Sequence, residues 1–279
     1  MASASDPTIL EPAPLLPPVP RIGGTAMPGG VHFSTGNYGT APSYMLFLTG
    51  VVIILLSSLG IVLAYLLTWL LGDLLHLPLS EALMDLARPE DLPYLSFIQI
   101  GLNLLVFMCF LLVLRLSPLA GYHGAEHKVV HCLERYGRLD WDLARSSPRA
   151  HRRCGTTLLA GILPVLLVAV PLLGAGLWQA AVFVLVAGWM FRLPVGAAIQ
   201  NIFTTREPTR HQLATALAAA QKLLVLWRAH PDRRLPLWRS LWVRGFPQMV
   251  AGVLVGTEIL RWLSAQLPLW LDWTHVIYP

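Results

Sequence analysis

Cysteine and charge are both scarce in this 279-residue chain. The three cysteines, Cys109, Cys132 and Cys154, include no Cys-x-x-Cys pair, which argues against a disulfide framework and a zinc ribbon. Only 13% of the residues are charged and 55% are hydrophobic, with a mean hydropathy of +0.60, which excludes an ordinary soluble domain. Lysine is reduced to Lys128 and Lys222 against eighteen arginines, a bias that reflects genome composition more than chemistry. No basic cluster precedes a short apolar core near the start, so the leader does not read as a signal peptide. No internal repeat is apparent and no ionisable residue lies in the middle of the four apolar runs, so a transporter gains no support. The arginine-rich segments follow the ends of apolar runs without a recognition module, which argues against nucleic acid as a partner.

What the chain does have is four long apolar runs. They cover Tyr44 to Leu71, Leu95 to Leu114, Thr157 to Leu173, and Trp178 to Arg192 or a little beyond. Such runs suit helices crossing a hydrocarbon core of about 30 Å. The expected fold class is therefore all-α: a polytopic membrane helical bundle of about four transmembrane helices, with a cytoplasmic helical loop carrying a metal site. Three parts are expected. Residues 1–43 read as a Pro/Gly-rich leader, mostly disordered with extended character. Residues 44–208 form a four-span membrane domain that includes a motif-bearing loop, 116–156. Residues 209–279 hold a further helix and an apolar C-terminal segment. Thr209-Arg-His-Gln212 has the pattern of a capping box opening a helix over 210–229. Pro247 to Leu263 is apolar but carries Glu258 and Arg261, and reads as a helix lying on the membrane surface or partly inserted.

Charge predicts the orientation. Between the first two runs lie Asp73, Glu81, Asp85, Glu90 and Asp91, opposed by Arg88. The next connection carries Arg115, Lys128, Arg135, Arg138, Arg145, Arg149, Arg152 and Arg153, and more arginines follow the fourth run. The positive-inside rule then places both basic segments, and both termini, in the cytoplasm of a bacterial inner membrane protein.

The basic loop contains His123-Gly-Ala-Glu126-His127. On a helix, residues three and four apart share a face, so both histidines and Glu126 point the same way. His-x-x-Glu-His is the inverted zincin order, in which the histidines hold Zn²⁺ and the glutamate acts as a general base. The plainer alternative is a solvated polar stripe on a juxtamembrane helix. Two histidines do not complete a zinc site, and His151, Glu134, His131 and Cys154 are candidates to join them, in that order. The expected cofactor is a divalent metal, with zinc foremost. Arg152 and Arg153 are placed to hold an anionic group. Thr156 and the amides that open the third run extend that corner.

Three stretches resemble the YqhQ-like family of bacterial membrane proteins. They are Tyr122-His-Gly-Ala-Glu-His-Lys128, His151-Arg-Arg-Cys-Gly-Thr156 and Gln200-Asn-Ile-Phe-Thr-Thr-Arg-Glu-Pro208. A fourth, Gly23-Gly-Thr-Ala-Met-Pro-Gly-Gly-Val31, is similar to the family's glycine motif, with Gly29 in place of an acidic residue and Thr25 in place of Gln. The resemblance implies a metal-dependent enzyme with site positions at His123, Glu126, His127, His151 and Cys154. It adds Thr205, Arg206 and Glu207 as supporting residues, with Arg206 joining the substrate-binding set. The expectation is a membrane-embedded, metal-dependent hydrolase with Glu126 as base, acting on a lipid head group or a phosphorylated small molecule at the bilayer. The competing class is a non-enzymatic assembly, scaffold or lipid-handling protein in which the metal is structural.

Overall fold

The computed structural model describes residues 19–84, 94–151 and 153–266. The N-terminal prolines up to Pro18, the acidic residues Asp85, Glu90 and Asp91, Arg88, Arg152 and residues 267–279 lie outside the described residues. In chain order the elements are β1 (Gly23–Met27), β2 (Gly30–Ser34), α1 (Ser43–Leu75), α2 (Leu79–Leu83), α3 (Leu95–Leu116), α4 (Pro118–Tyr136), α5 (Trp141–Ser146), α6 (Gly155–Gly174) and α7 (Trp178–Ile199). A π-helical turn, Gln200–Thr204, extends α7 and is followed by α8 (Arg210–Ala229), α9 (Leu237–Arg244) and α10 (Phe246–Gln266).

Among the described residues, four helical stretches are long and apolar enough to cross a membrane: Ser43–Leu75, Phe97–Leu116, Gly155–Gly174 and Trp178–Thr204. The chain is thus a multi-pass membrane helical bundle, as its apolar runs predict. The spans stand side by side in the order α1, α3, α6, α7, with α10 flanking α1. Large side chains such as Trp189, Met190 and Phe183 point outward from them, as suits surfaces that meet acyl chains. Small residues set the contacts between helices. A Cβ at Gly161 would overlap the Arg192 carbonyl, and one at Gly196 would overlap the Thr157 carbonyl, so α6 and α7 pair antiparallel at backbone distance.

α10 stands beside α1. Gly252 and Gly50 meet backbone to backbone, and Gly256 faces Val51 and Ile54 further along, so the two helices run parallel. The spacing Gly252-x-x-x-Gly256 gives α10 the flat face that such close approach needs. Glu258 and Arg261 pair with one another on its outer surface.

α2 packs against the end of α1 and the start of α3, and the remaining elements form a cap at the other end of the bundle, where α1 begins. α3 gives way to α4 at Ser117-Pro118. Proline has no N–H to continue the ladder and holds Ser117 extended, at φ −70° and ψ 156°. α4 ends on Gly137 in the left-handed region, and α5 opens on Asp140, whose carboxylate accepts from the amides of Asp142 and Leu143. α8 opens with the capping box: Thr209 Oγ1 accepts from Gln212 N at 3.2 Å and Gln212 Oε1 accepts from Thr209 N at 2.9 Å.

The segment expected as a disordered leader differs as well. β1 and β2 pair antiparallel from Gly23↔Ser34 to Met27↔Gly30, around a Pro28-Gly29 turn in which Gly29 has φ +86°. An isolated hairpin is marginal in water, and this one is held by burial. Every residue of β2 is buried, and Val31 and Phe33 enter one core with Val129 and Leu133 of α4 and Leu213, Leu217, Leu223 and Leu224 of α8. Cys132 belongs to the same core, away from the histidine face, and burial pushes its thiol up.

Candidate metal centre

α4 carries His123, Glu126, His127, His131 and Glu134 on its polar side, and α6 begins beside it with Cys154 as its N-cap residue. His123, His127 and Cys154 each offer a ligand atom, all within 4.8 Å of one another. His123 Nε2 lies 3.3 Å from Cys154 Sγ. Thr156 Oγ1 lies 2.8 Å from the same sulfur and 3.4 Å from His123 Nε2.

The backbone fixes which imidazole nitrogens are free. His123 Nδ1 donates to the Thr204 carbonyl at 2.9 Å, and His127 Nδ1 donates to the Arg149 carbonyl. A carbonyl only accepts, so each Nδ1 carries the hydrogen and each Nε2 of the neutral ring keeps its lone pair. His127 Nε2 is buried and makes no hydrogen bond. Burial, with His123 next to it, pushes His127 down to about 2, despite the opposing pull of the Arg149 carbonyl. Two imidazoles oriented by Nδ1–H···O=C bonds, their Nε2 lone pairs left for a ligand and a thiol grouped with them, form the outer-shell pattern of metal-binding histidines. The nitrogen and sulfur donors match the preferences of zinc. The residues therefore fit a divalent cation.

Glu126 is buried under the hairpin. A Cβ at Gly24 would come within 2.5 Å of Glu126 Cγ, so glycine at this point of β1 is what lets the strand lie over the carboxylate. Burial pushes Glu126 up to about 8, with Cys154 adding to the rise and His123 opposing it. The glycine between the two histidines has a similar purpose. A Cβ at Gly124 would overlap the Arg206 carbonyl, so α4 lies against the strand-like stretch that follows Thr204. The Arg206 amide donates to the Ala120 carbonyl at 2.8 Å and holds that contact.

The other expected site residues sit one turn further along. His151, expected first as the third ligand, has its ring centroid 5.9 Å from that of His127. Its Nδ1 accepts from the Arg153 amide at 3.2 Å, so Nε2 bears the hydrogen and donates to Glu134 Oε2 at 3.1 Å. Burial holds His151 below its ordinary pKa, and it does the same for His131. Glu134 also pairs with Arg153. His131 Nε2 donates to the Ala150 carbonyl at 2.9 Å. Glu134, His151 and Arg153 thus bind each other, and Cys154, last in the expected order, is the residue grouped with the histidine pair. Arg152 is outside the described residues. Glu207 pairs with Lys128 at 3.0 Å, and Thr205 is fully buried against the Gln200 carbonyl. Gly29 sits at the hairpin tip with no atom within 4 Å of where a Cβ would lie.

Sequence reasoning missed Gly24, Gln200 and Thr204. Gln200 Oε1 accepts from the His151 amide at 2.9 Å, which ties the π-helical turn to the loop before α6. Thr204 contributes a carbonyl, which no side-chain pattern reveals. All three did lie inside two of the stretches that carry the family resemblance.

Fold and site together define a multi-pass membrane protein with a histidine–cysteine group in a cap at one end of its bundle. A family model described as "Protein of unknown function (DUF1385)" matches residues 44–195, more than half of the chain, and the chain belongs to that family. It is also 28% identical over 174 residues to "Uncharacterized protein YqhQ" of Bacillus subtilis (strain 168), covering 52% of this chain and 54% of that protein. The chain therefore matches about half the length of this curated relative. No solved structure matches.

Proposed function

We propose that this protein is a membrane-embedded, metal-dependent enzyme, with His123 Nε2, His127 Nε2 and Cys154 Sγ as ligands and Glu126 as general base. The observation that carries this reading is the pair of Nδ1–H···O=C bonds, which leave the Nε2 lone pairs of two histidines for a ligand, in a group whose donor atoms and the Cys154 thiol lie within 4.8 Å of one another. Three protein ligands and an open position are the composition of catalytic rather than structural zinc sites. A divalent cation at this point acts as a Lewis acid and eases the ionisation of water near neutral pH. Glu126 accepts the proton of the attacking water in a hydrolytic step. Its burial gives it a pKa near neutrality, where a base both holds and releases protons, and a neighbouring cation favours its charged form. Thr156 and Arg206 line the approach for an anionic, membrane-proximal substrate.

The charge asymmetry of the connections supports a cap on the cytoplasmic face of a bacterial inner membrane. A structural metal that ties α4 to α6 is the second reading, favoured by the burial of His127 and of Glu126 beneath the hairpin. Zinc is the first cation to test. Purified protein should bind about one equivalent, and His123→Ala, His127→Ala and Cys154→Ser should each bind far less by elemental analysis. Cobalt-loaded protein should show thiolate charge-transfer absorption that Cys154→Ser removes. Glu126→Gln should keep its metal. Folded wild-type protein that takes up no metal would sink both readings, and a closed four-ligand cobalt spectrum would favour the structural one.

A further inference from the structure

Three arginines, Arg115, Arg149 and Arg206, are gathered around the stretch that follows the π-helical turn. Arg115, in the last turn of α3, donates to the Thr205 carbonyl. That carbonyl belongs to the peptide of Arg206. Arg149 donates through Nη2 to Asn201 Oδ1 at 3.2 Å and stands 3.9 Å from Glu207 Oε2. Arg206 follows Thr205 directly, and its amide is fixed to the Ala120 carbonyl of α4, five residues beyond Arg115, at 2.8 Å. Lys128 Nζ shares Glu207 with Arg149, at 3.0 Å. Two cations thus share one carboxylate, Arg115 and Arg206 pair with no carboxylate among the described residues, and the excess is positive. The three arginines are half-buried, where like charges repel more strongly than in water. The guanidinium of Arg206 makes no hydrogen bond or ion pair with another described residue.

We propose that Arg115, Arg149 and Arg206 form a receiving site for a phosphate group beside the metal centre. Planar guanidinium forks match phosphate oxygens in pairs, which single ammonium groups do not. Arginines that merely flank a span would reach into solvent, whereas Arg115 and Arg149 bind the same short segment of chain. Arg115 ends a span, which puts the site at the depth of head-group phosphates. Thr204, whose carbonyl orients His123, directly precedes Thr205, so a phosphate held here lies close to the ligand group. Binding of the phosphate rests on the three guanidiniums alone; its role as part of a substrate rests on the metal-centre reading.

The test uses the full chain in phosphatidylcholine nanodiscs. One arm titrates inorganic phosphate and glycerol 3-phosphate calorimetrically. The other adds phosphatidic acid to the bilayer and counts the lipids retained in native mass spectra. Saturable binding is expected in at least one arm. Soluble phosphates that bind and displace phosphatidic acid identify a free phosphomonoester, and retention of phosphatidic acid alone identifies a lipid head group. Arg206→Gln and Arg149→Gln should each weaken binding about tenfold or more, and Arg228→Gln on α8 should leave it unchanged. Should Arg206→Gln lower the unfolding temperature, Arg206→Lys serves instead: it keeps the charge, loses the fork, and should bind several-fold more weakly. His123→Ala should retain phosphate while losing metal, which separates this site from the metal reading. No binding in either arm, or equal binding by wild type and both Arg206 variants, overturns the site.

Discussion

Phe33 in the cap and Phe183 in the fourth span are the same residue type in opposite settings: Phe33 is 0% exposed and Phe183 is 73% exposed. In the cap, water drives apolar side chains into one core between β2, α4 and α8. Along the spans the surrounding acyl chains are as apolar as the side chains, so burial of large residues drives little and close backbone contact through glycine does more. The cap sorts its residues by polarity and the bundle sorts them by size. For that reason the polar groups with chemical potential collect in the cap, where α4 buries one side in a core and turns its histidines toward the start of α6.

The largest effect that tests this contrast is expected at Gly124. Gly124→Val forces a side chain into the Arg206 carbonyl, and should destabilise the cap by about 3 kcal/mol or more and lower metal binding with it. Unchanged thermal unfolding and metal content in that variant would mean that the close approach is not required. Next comes the direct comparison. Phe33→Ala should cost about 3–5 kcal/mol in cap stability, whereas Phe183→Ala in nanodiscs should cost less than about 1 kcal/mol. Equal losses would break the distinction between the two regions.

A smaller effect is expected from pH. His32 is buried, its Nε2 donates to the Val243 carbonyl at 2.9 Å, and its Nδ1 accepts from the Ala41 amide at 3.1 Å. Burial lowers its pKa below the ordinary value of 6.5, so the folded state favours the neutral ring. The stability this gives is present above the unfolded pKa and is lost as pH falls below about 6.5. Amide exchange in 30–41 should therefore quicken on acidification in the wild type and change less in His32→Gln. A pH-independent exchange rate would count against this. The smallest effect concerns α8: Thr209→Ala removes one half of the capping box and should cost about 1 kcal/mol by thermal unfolding.

The spans and α8 were legible in the sequence because their signals are local. A long apolar run needs no partner to be a membrane helix, and Thr209 and Gln212 satisfy each other's backbone within one turn. The pair His123 and His127 was legible for the same reason, since helical geometry alone sets their common face. The hairpin was not, because Gly23 to Ser34 carries many glycines and acquires its order from the core supplied by α4 and α8. The partner of α10 was not legible either, because its placement depends on Gly252 and Gly256 meeting Gly50 and Val51, residues some two hundred positions away. Cys154 ranked last among the expected third ligands, and His151 first, because spacing along the chain does not encode the direction in which a loop returns.

The sequence by itself determined a multi-pass helical bundle and a helix with two histidines and a glutamate on one face, both consequences of short-range periodicity and run length. Only the tertiary structure decided what completes that face. Backbone carbonyls of Thr204 and Arg149, distant in sequence, choose the proton-bearing nitrogen of each histidine. The start of α6 brings the thiol, and β1 covers the carboxylate. Carbonyl groups and close glycine contacts are common to every stretch of chain, so their role appears only when packing brings them to a side chain.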